Sequence, residues 1–279
     1  MNLEIFNETK CIVGEGPVWD GEKHQLLSLD IRGQFILKTD YCTGKFQKID
    51  LPQRIGCFAL TESGDIIAGL TDGVYRIDDT GATTLAHQPV TIKGDRFNDG
   101  KIGPDGAFYL GTSAADGCGG FYRLKDGVLT ELFDGCACSN GLDWTADGRQ
   151  MYYIDTLRQT IELFDFDVLT GTLSNRRKFM DIPKEMGLPD GMTLDSDGNL
   201  WVALWDGACI LQIHKTTKEI TNRIQVPCPR ASCCAFGGKN LNELFITTAS
   251  FGNEHNEMAG KTFRIKVDAT GAKVYKYKG

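Results

Sequence analysis

The sequence lacks the features expected of a protein that binds nucleic acid or spans a membrane. It carries 30 lysines and arginines against 37 aspartates and glutamates, so its formal net charge is −7. Phosphate backbones are bound by clustered basic side chains, which this balance does not favour. No hydrophobic run reaches the roughly 18 residues that a membrane-spanning helix needs. We therefore expect neither nucleic acid nor a membrane as a partner.

The first residues, MNLEIFNETK, also lack the basic start and apolar core of a secretory signal peptide. The ten cysteines include no C-x-x-C pair, which argues against a structural zinc site. A chain of this size does not depend on disulfides, and a free cysteine behaves as a small buried hydrophobic residue. We expect reduced thiols in a cytoplasmic protein.

Proline is scarce, with 8 residues, whereas glycine is abundant, with 33. Asp-Gly, Ser-Gly or Gly-Gly followed by a short apolar run occurs six times, at 20–21, 63–64, 105–106, 147–148, 197–198 and 237–238. Such a dipeptide between two apolar segments indicates a hairpin, because glycine accepts a positive φ. More strand-like segments follow each hairpin. Four short strands per unit of about forty residues are typical of propeller blades.

These repeats predict an all-β fold, a six-bladed β-propeller with four-stranded antiparallel blades, as a single domain over residues 1–279. Near-equal repeats argue against a two-sheet sandwich, which needs no such period. A propeller has to close, because otherwise its first and last blades expose strand edges. The sixth repeat is short of an outer strand, and either LEIFNET at 3–9 or VYKYK at 274–278 could supply it. We expect the N-terminal segment to do so.

One position recurs at the start of the first strand of every repeat. Its six occurrences are 42, 41, 42, 50 and 43 residues apart, and the surplus in the long interval falls between Arg176 and Leu188. The first strand of each blade lines the central channel, so side chains at this position should converge on one axis. The residues are Glu15, Cys57, Asn98, Asn140, Asp190 and Cys233.

Four of these six residues carry oxygen donors: Glu15, Asn98, Asn140 and Asp190. Two carboxylates and two amides suit a hard cation. We predict one divalent metal ion, Ca²⁺ in the first place, with Zn²⁺, Mn²⁺ and Mg²⁺ left open. Asn-Gly and Asp-Gly are also common turn sequences, so a plain turn role is the alternative at each position. Four such residues at one repeat phase favour the metal site.

At these positions the sequence resembles the SMP-30/gluconolactonase/luciferin-regenerating enzyme family, the regucalcin-like family, over nearly the whole chain. The resemblance implies a six-bladed propeller and a sugar lactonase. It implies a metal held by Glu15, Asn140 and Asp190, with Asn98 at or near the metal. It also implies substrate contacts from Arg96 and Asn98, and Asp190 as general base. The motifs that carry it are GEGPVW at 14–19, RFNDG at 96–100, SNGL at 139–142, PDGM at 189–192 and CCAFGG at 233–238.

The loop after the Gly111-Thr112 pair departs from some animal members of that family. Those members carry a substrate-binding glutamate there, whereas the loop at 113–120 has none. Asp116 is the acid present in this loop, and whether it replaces the glutamate stays open. The resemblance therefore implies a small sugar lactone as the substrate but not which one.

The resemblance, together with these residue types, implies a hydrolytic mechanism in which Asp190 is the base because the resemblance assigns it that role. Asp190 would accept a proton from the attacking water, and Glu15 would neutralise charge at the metal. Arg96 should share a strand face with Asn98, because alternate residues of a strand do, and would hold sugar hydroxyls or the ring oxygen. No G-x-S-x-G nucleophile elbow offers a competing route. Two alternatives remain: hydrolysis of phosphotriesters or other esters at the same metal, and a non-catalytic calcium-binding propeller.

Overall fold

The regular structure of the chain is almost entirely β-strand. The computed structural model describes residues 2–78, 80–87, 92–272 and 274–279. Its strands form six separate antiparallel sheets of four strands each. Consecutive strands are hydrogen-bonded neighbours in five of these sheets, so each is a simple meander that starts and ends within one repeat. The predicted all-β class and the four-stranded antiparallel blades are therefore confirmed.

We number the blades in chain order, and their strands are as follows. The chain starts with β1 (Glu4–Asn7). Blade 1 contains β2 (Gly14–Asp20), β3 (Gln25–Asp30), β4 (Phe35–Asp40) and β5 (Phe46–Asp50). Blade 2 contains β6 (Ile55–Leu60), β7 (Ile66–Leu70), β8 (Val74–Ile77) and β9 (Thr83–His87). Blade 3 contains β10 (Arg96–Ile102), β11 (Phe108–Ser113), β12 (Gly119–Lys125) and β13 (Val128–Cys136). Blade 4 contains β14 (Ser139–Trp144), β15 (Gln150–Asp155), β16 (Thr160–Asp167) and β17 (Thr172–Asp181). Blade 5 contains β18 (Leu188–Leu194), β19 (Leu200–Trp205), β20 (Cys209–Ile213) and β21 (Ile220–Gln225). Blade 6 contains β22 (Ala231–Gly237), β23 (Glu243–Thr248) and β24 (Thr262–Lys266).

Burial differs between the inner and outer strands of a blade. All five residues of β7 are buried, and only the last residue of β19 is not, which explains why their sequences IIAGL and LWVALW read as unbroken apolar runs. The outer strand β5 buries only Ile49, and β21 buries only Ile224. The hydrophobic core therefore lies between the faces of neighbouring blades rather than along their outer edges.

The chain divides into two compact units. Unit 1 comprises residues 1–50 and 182–273, which hold blades 1, 5 and 6, and unit 2 comprises residues 51–181 and 274–279, which hold blades 2, 3 and 4. Trp201 packs edge-on against Phe236 in unit 1, with ring centroids 5.6 Å apart. Tyr109 packs edge-on against Trp144 in unit 2, with centroids 5.1 Å apart. Aromatic contacts of this kind join adjacent blades inside each unit.

The N-terminal strand completes blade 6, as predicted. β1 pairs antiparallel with β24, and Ile5 lies opposite Phe263. The segment VYKYK does not take this place. It runs along blade 2, where Tyr277 forms a parallel bridge with Thr61 and donates its backbone N–H to the Leu60 carbonyl oxygen at 2.8 Å. The C-terminal alternative for the missing strand was therefore wrong.

The surplus residues of the longest repeat interval extend blade 4 and the connection that follows it. The strand at Thr172–Asp181 is ten residues long, and a 3-10 turn at Lys184–Met186 leads into blade 5. A second 3-10 turn lies at Thr156–Arg158. Across the described residues, no helix has the length and apolar character needed to cross a membrane.

We expect Tyr277→Ala to destabilise the protein by about 3 to 5 kcal/mol, the usual cost of removing a buried aromatic ring. Tyr277 is 3% exposed and packs in the core shared by blades 2 and 3. Thermal or urea unfolding measures the effect. Tyr277→Phe keeps the ring and should lose less than half as much. If the alanine variant melts with the wild type, the C-terminal segment does not contribute to this core.

Candidate metal and substrate site

Each predicted ligand lies where the pairing between the first two strands of its blade is interrupted. Glu15 and Asn140 border such an interruption, and Asn98 and Asp190 fall inside one. A β-bulge leaves residues outside the regular ladder and re-aims their side chains. An interruption of this kind occurs at the same repeat phase in all six blades. The register shifts lie between Glu15 and Val18, Ile55 and Cys57, Phe97 and Gly100, Asn140 and Leu142, Pro189 and Met192, and Ala231 and Cys233.

The four predicted oxygen donors are buried. Glu15 and Asn98 are each 7% exposed, and Asn140 and Asp190 are each 6% exposed. A buried carboxylate is costly without a compensating charge or hydrogen bonds. The Gly16 N–H donates to Oε2 of Glu15 at 2.8 Å, which supplies part of this compensation. Buried carboxylate and amide oxygens are the donor set that a hard divalent cation prefers, so the residues present fit such an ion.

The predicted ligands divide equally between the two units. Glu15 and Asp190 belong to unit 1, whereas Asn98 and Asn140 belong to unit 2. Among the described residues, no group of three or more His, Cys, Asp or Glu side chains is arranged to hold a metal ion. The predicted set contains only two residues of those types, because its other two donors are amides.

In unit 2, Arg96 and Asn98 are in direct contact. Arg96 donates from Nη1 to Oδ1 of Asn98 at 2.7 Å and to the Phe97 carbonyl oxygen at 2.9 Å. Asn98 donates from Nδ2 to the Ser139 carbonyl oxygen at 2.8 Å. A guanidinium can only donate and a carbonyl can only accept, so these partners fix which end of the amide is oxygen. The Asn98 oxygen keeps a second lone pair beside a fixed positive charge.

Asn140 is held in a similar way, through its amide nitrogen. Its Nδ2 donates to Oγ1 of Thr156 at 2.8 Å, from the residue that follows β15. Cys138 lies between the two amides, with Sγ 3.7 Å from Nδ2 of Asn98 and 3.9 Å from Nδ2 of Asn140. Asn98 and Asn140 therefore share one neighbourhood. Sequence reasoning missed Cys138 and Thr156, since neither is at the repeat position of the ligands.

Two buried aspartates fix the segments that lead into the ligand strands. Asp30, at the end of β3, accepts the backbone N–H groups of Ile12 at 2.6 Å and Val13 at 3.0 Å, just before β2. Asp155, at the end of β15, accepts those of Ala137 at 3.0 Å and Cys138 at 3.1 Å, just before β14. The repeated sequences LDI and IDT, at the same phase of blades 1 and 4, are the signal that could have revealed this role.

The first strands of neighbouring blades approach so closely that only glycine fits at the contact. A Cβ on Gly191 of β18 would lie 2.3 Å from Sγ of Cys233 in β22. A Cβ on Gly56 of β6 would lie 2.1 Å from the Phe97 carbonyl oxygen in β10. The glycines beside the predicted site residues thus allow close strand packing, in addition to any turn they make.

The one acidic side chain of the loop at 113–120, Asp116, is engaged within the loop itself. Asp116 is exposed, and its Oδ1 accepts the backbone N–H of Cys118 at 3.0 Å, which closes the loop's own turn. This hydrogen bond is typical of an aspartate that stabilises a tight turn. A substrate-binding role for Asp116 stays a prediction.

Asp99, next to Asn98, is an acid with a strongly shifted pKa. Burial raises the pKa of Asp99 from 3.8 to about 6, although the Gly100 N–H donates to Oδ1 at 2.7 Å and opposes the shift. The nearby Lys101 also lowers this pKa, and Asp143, which forms an ion pair with Lys101 at 2.6 Å, raises it. The ionised form of Asp99 is therefore destabilising at neutral pH.

The six four-stranded sheets together with a solved relative define the class of this protein. The structure of a luciferin-regenerating enzyme superimposes on it with a TM-score of 0.92, at 28% identity, over 100% of this chain and 99% of that chain. The fold is a six-bladed β-propeller, as predicted. The structure of a calcium-binding protein, regucalcin, from Agrobacterium tumefaciens also superimposes with a TM-score of 0.92, at 24% identity, over 100% of this chain and 98% of that chain. At this identity the similarity supports the fold alone.

The family follows from sequence comparison. The family model described as SMP-30/gluconolactonase/LRE-like region matches residues 13–250. The regucalcin of Danio rerio is 34% identical over 292 residues, which cover 100% of this chain and 99% of that relative. The chain belongs to the SMP-30/gluconolactonase/LRE-like family.

We expect Asp99→Asn to melt at a higher temperature than the wild type at pH 7.5, and the difference to shrink at pH 5. The folded-state pKa lies above the unfolded one, so the wild type gains stability as pH falls through 6 towards 4. Asp147→Asn is the control, because the Thr145 hydroxyl lowers the pKa of Asp147 from 3.8, so Asp147 is ionised in both folded and unfolded protein from pH 5 to 7.5 and the effect of this substitution on the melting temperature should not change over that range. A difference for Asp99→Asn that is constant from pH 5 to 7.5 would contradict the shift.

Proposed function

We propose that this protein is a metal-dependent lactonase that opens sugar lactones of the gluconolactone type. The observation that carries the proposal is the hydrogen bond between Arg96 and Asn98, which holds a cationic donor against a buried oxygen donor at the ligand phase of the repeat. Membership of a family that includes gluconolactonases supports the same activity. The substrate would be a small molecule, an aldonolactone.

In this proposal Glu15, Asn98, Asn140 and Asp190 hold one divalent cation, Ca²⁺ in the first place. The two amides are suited to the task, because their nitrogens are engaged by the Ser139 carbonyl oxygen and the Thr156 hydroxyl. Outer contacts of this kind orient the oxygen of a ligand. The cation supplies Lewis-acid stabilisation of the negative charge that develops on the lactone carbonyl oxygen.

The side chains carry the proton transfers and the positioning. As water attacks the carbonyl carbon, Asp190 accepts its proton, and the ring C–O bond then breaks. The ring oxygen leaves as a hydroxyl, with the proton returned by Asp190, so lactone and water become one hydroxy acid. Arg96 holds the sugar hydroxyls or the ring oxygen through guanidinium N–H groups that do not bond to Asn98. Glu15 balances the charge of the cation.

The activity is tested by assaying the protein with Ca²⁺, Mn²⁺, Zn²⁺ or Mg²⁺ on a panel of aldonolactones, with spontaneous opening subtracted. Turnover of a γ- or δ-aldonolactone above that background is expected with at least one metal. A higher kcat/KM for an organophosphate triester than for any lactone would instead favour a phosphotriesterase at the same site. Metal binding without any turnover would favour a non-catalytic calcium-binding propeller.

Asp190→Ala should lose metal affinity and activity together, because the substitution removes one of two carboxylates and the proton acceptor. Calorimetry with the metal measures the first loss and lactone turnover the second. Asp197→Ala changes a turn aspartate at the other end of the same blade and is the matched control. Normal turnover by Asp190→Ala would falsify the base assignment.

Asn140→Ala should stay folded but respond less to metal. Ligand binding stabilises a protein by about 2.7 kcal/mol at a hundredfold excess over Kd, so metal should raise the Tm of the wild type and chelation should lower it. The variant should melt close to the chelated wild type, whereas Asn140→Asp keeps an oxygen donor and should retain more of the metal response. An Asn140→Ala variant that is unfolded at room temperature would make Asn140 a structural turn residue.

A further inference from the structure

Unit 1 carries a row of arginine and aromatic side chains at one end of its blades. Arg32 lies just after β3, Trp205 ends β19, Arg230 precedes β22, and Phe251 lies just after β23. In an antiparallel meander the first strand starts where the second strand ends. These four residues, which we call the arginine row, therefore lie at the same end of blades 1, 5 and 6 as the predicted ligands of unit 1.

The members of the arginine row are in contact with one another. The guanidinium carbon of Arg32 lies 3.8 Å from the ring centroid of Phe251. That of Arg230 lies 5.4 Å from the same ring and 4.8 Å from the ring of Trp205. All three distances are within the range of cation–π attraction. Two arginines from different blades thus share one phenyl ring.

Hydrogen bonds tie the arginine row to the segment that precedes Glu15. Asp30, which is 1% exposed, accepts the backbone N–H of Arg32 at 3.1 Å as well as that of Ile12 at 2.6 Å. The backbone N–H of Phe251 donates to the Ile12 carbonyl oxygen at 3.0 Å. The positions of Arg32 and Phe251 are therefore set by the same chain segment that leads into β2.

The two arginines differ in how their charge is balanced. Arg230 donates from Nε to Oδ1 of Asp206 at 2.8 Å and from Nη1 to the Phe251 carbonyl oxygen. No residue in the described part of the chain accepts a hydrogen bond from the Arg32 guanidinium or forms an ion pair with it. Its side chain is exposed, and its guanidinium carbon lies over the Phe251 ring. The N–H donors in the plane of the guanidinium remain available to a ligand.

We propose that Arg32 recognises an anionic group on the substrate, so that the protein prefers acidic sugar lactones to neutral ones. A guanidinium stacked on a ring presents its N–H fork in a fixed plane, which matches the two oxygens of a carboxylate or of a phosphate. Phe251 and Asp30 are positioning residues for this contact. The inference rests on the proposed lactonase activity, because it names the class of lactone that the activity takes.

The test compares three lactones on wild-type protein: glucono-δ-lactone, the same lactone with a carboxylate at carbon 6, and the same lactone with a phosphate at carbon 6. At least one anionic lactone should have a kcat/KM about tenfold or more above that of the neutral one. The better of the two identifies the anion. This preference should fall at high salt, since exposed charges are screened. Equal kcat/KM for all three would overturn the proposal.

Arg32→Gln should lower kcat/KM for the preferred anionic lactone about tenfold more than it lowers kcat/KM for glucono-δ-lactone. The difference should appear mainly as a higher KM for the anionic lactone. A charge-assisted hydrogen bond has about this strength. Arg32→Lys keeps the charge without the fork and should retain part of the preference. Arg149→Gln removes the same charge from an exposed turn between β14 and β15, at the opposite end of its blade, and should leave the ratio unchanged. Equal losses for both lactones in Arg32→Gln would overturn the role.

A binding experiment separates this inference from the proposed function. The open-chain six-carbon acids that carry a second carboxylate or a phosphate at carbon 6 serve as probes, with gluconate as the reference, and calorimetry gives their Kd. Tighter binding of either probe to the wild type, lost in Arg32→Gln, supports the anion site even when no lactone is hydrolysed. Binding no tighter than that of gluconate would overturn the anion site, whether or not lactones are turned over.

Discussion

The recurrent break in strand pairing, at the start of the first strand of all six blades, is the constraint on which the rest of the structure depends. A fully paired strand alternates its side chains between the two faces of the blade, where they meet the apolar faces of neighbouring blades. The bulge releases one or two residues from this alternation. Asn98 and Asp190 are among the released residues, and Glu15 and Asn140 directly border a released segment, so all four can be polar at positions next to the apolar blade faces, although each is buried.

Stability and the proposed chemistry are consequently carried by different strands of the same blade. The second strands, such as IIAGL and LWVALW, bury apolar surface on both faces and hold the blades together. Polar contacts fix the start of two first strands. Asp30 and Asp155 accept backbone N–H groups from the segments that lead directly into the strands of Glu15 and Asn140. A substitution at a predicted ligand should therefore leave the core of its blade intact.

The sequence was sufficient for whatever the repeat encodes. The period predicted six four-stranded blades, the phase located the start of the first strand of each blade, and LEIFNET was correctly expected to close blade 6. It was not sufficient for contacts between segments far apart in the chain. Nothing local to Tyr277 shows that it packs beside Leu60, and nothing local to Arg32 shows that it stacks on Phe251. Such contacts depend on how blades are placed, which a repeat pattern does not specify.

The charge of the chain limits how an anionic substrate could be recognised. With a formal net charge of −7, the protein as a whole repels anions at long range. Recognition must then come from short-range contacts, which act within a Debye length of about 8 Å at physiological salt. A stacked guanidinium suits this situation, since Phe251 holds Arg32 in place without neutralising it, whereas a carboxylate partner would cancel the charge that the ligand requires. Discrimination between lactones would therefore appear in the lifetime of the complex rather than in the rate of encounter.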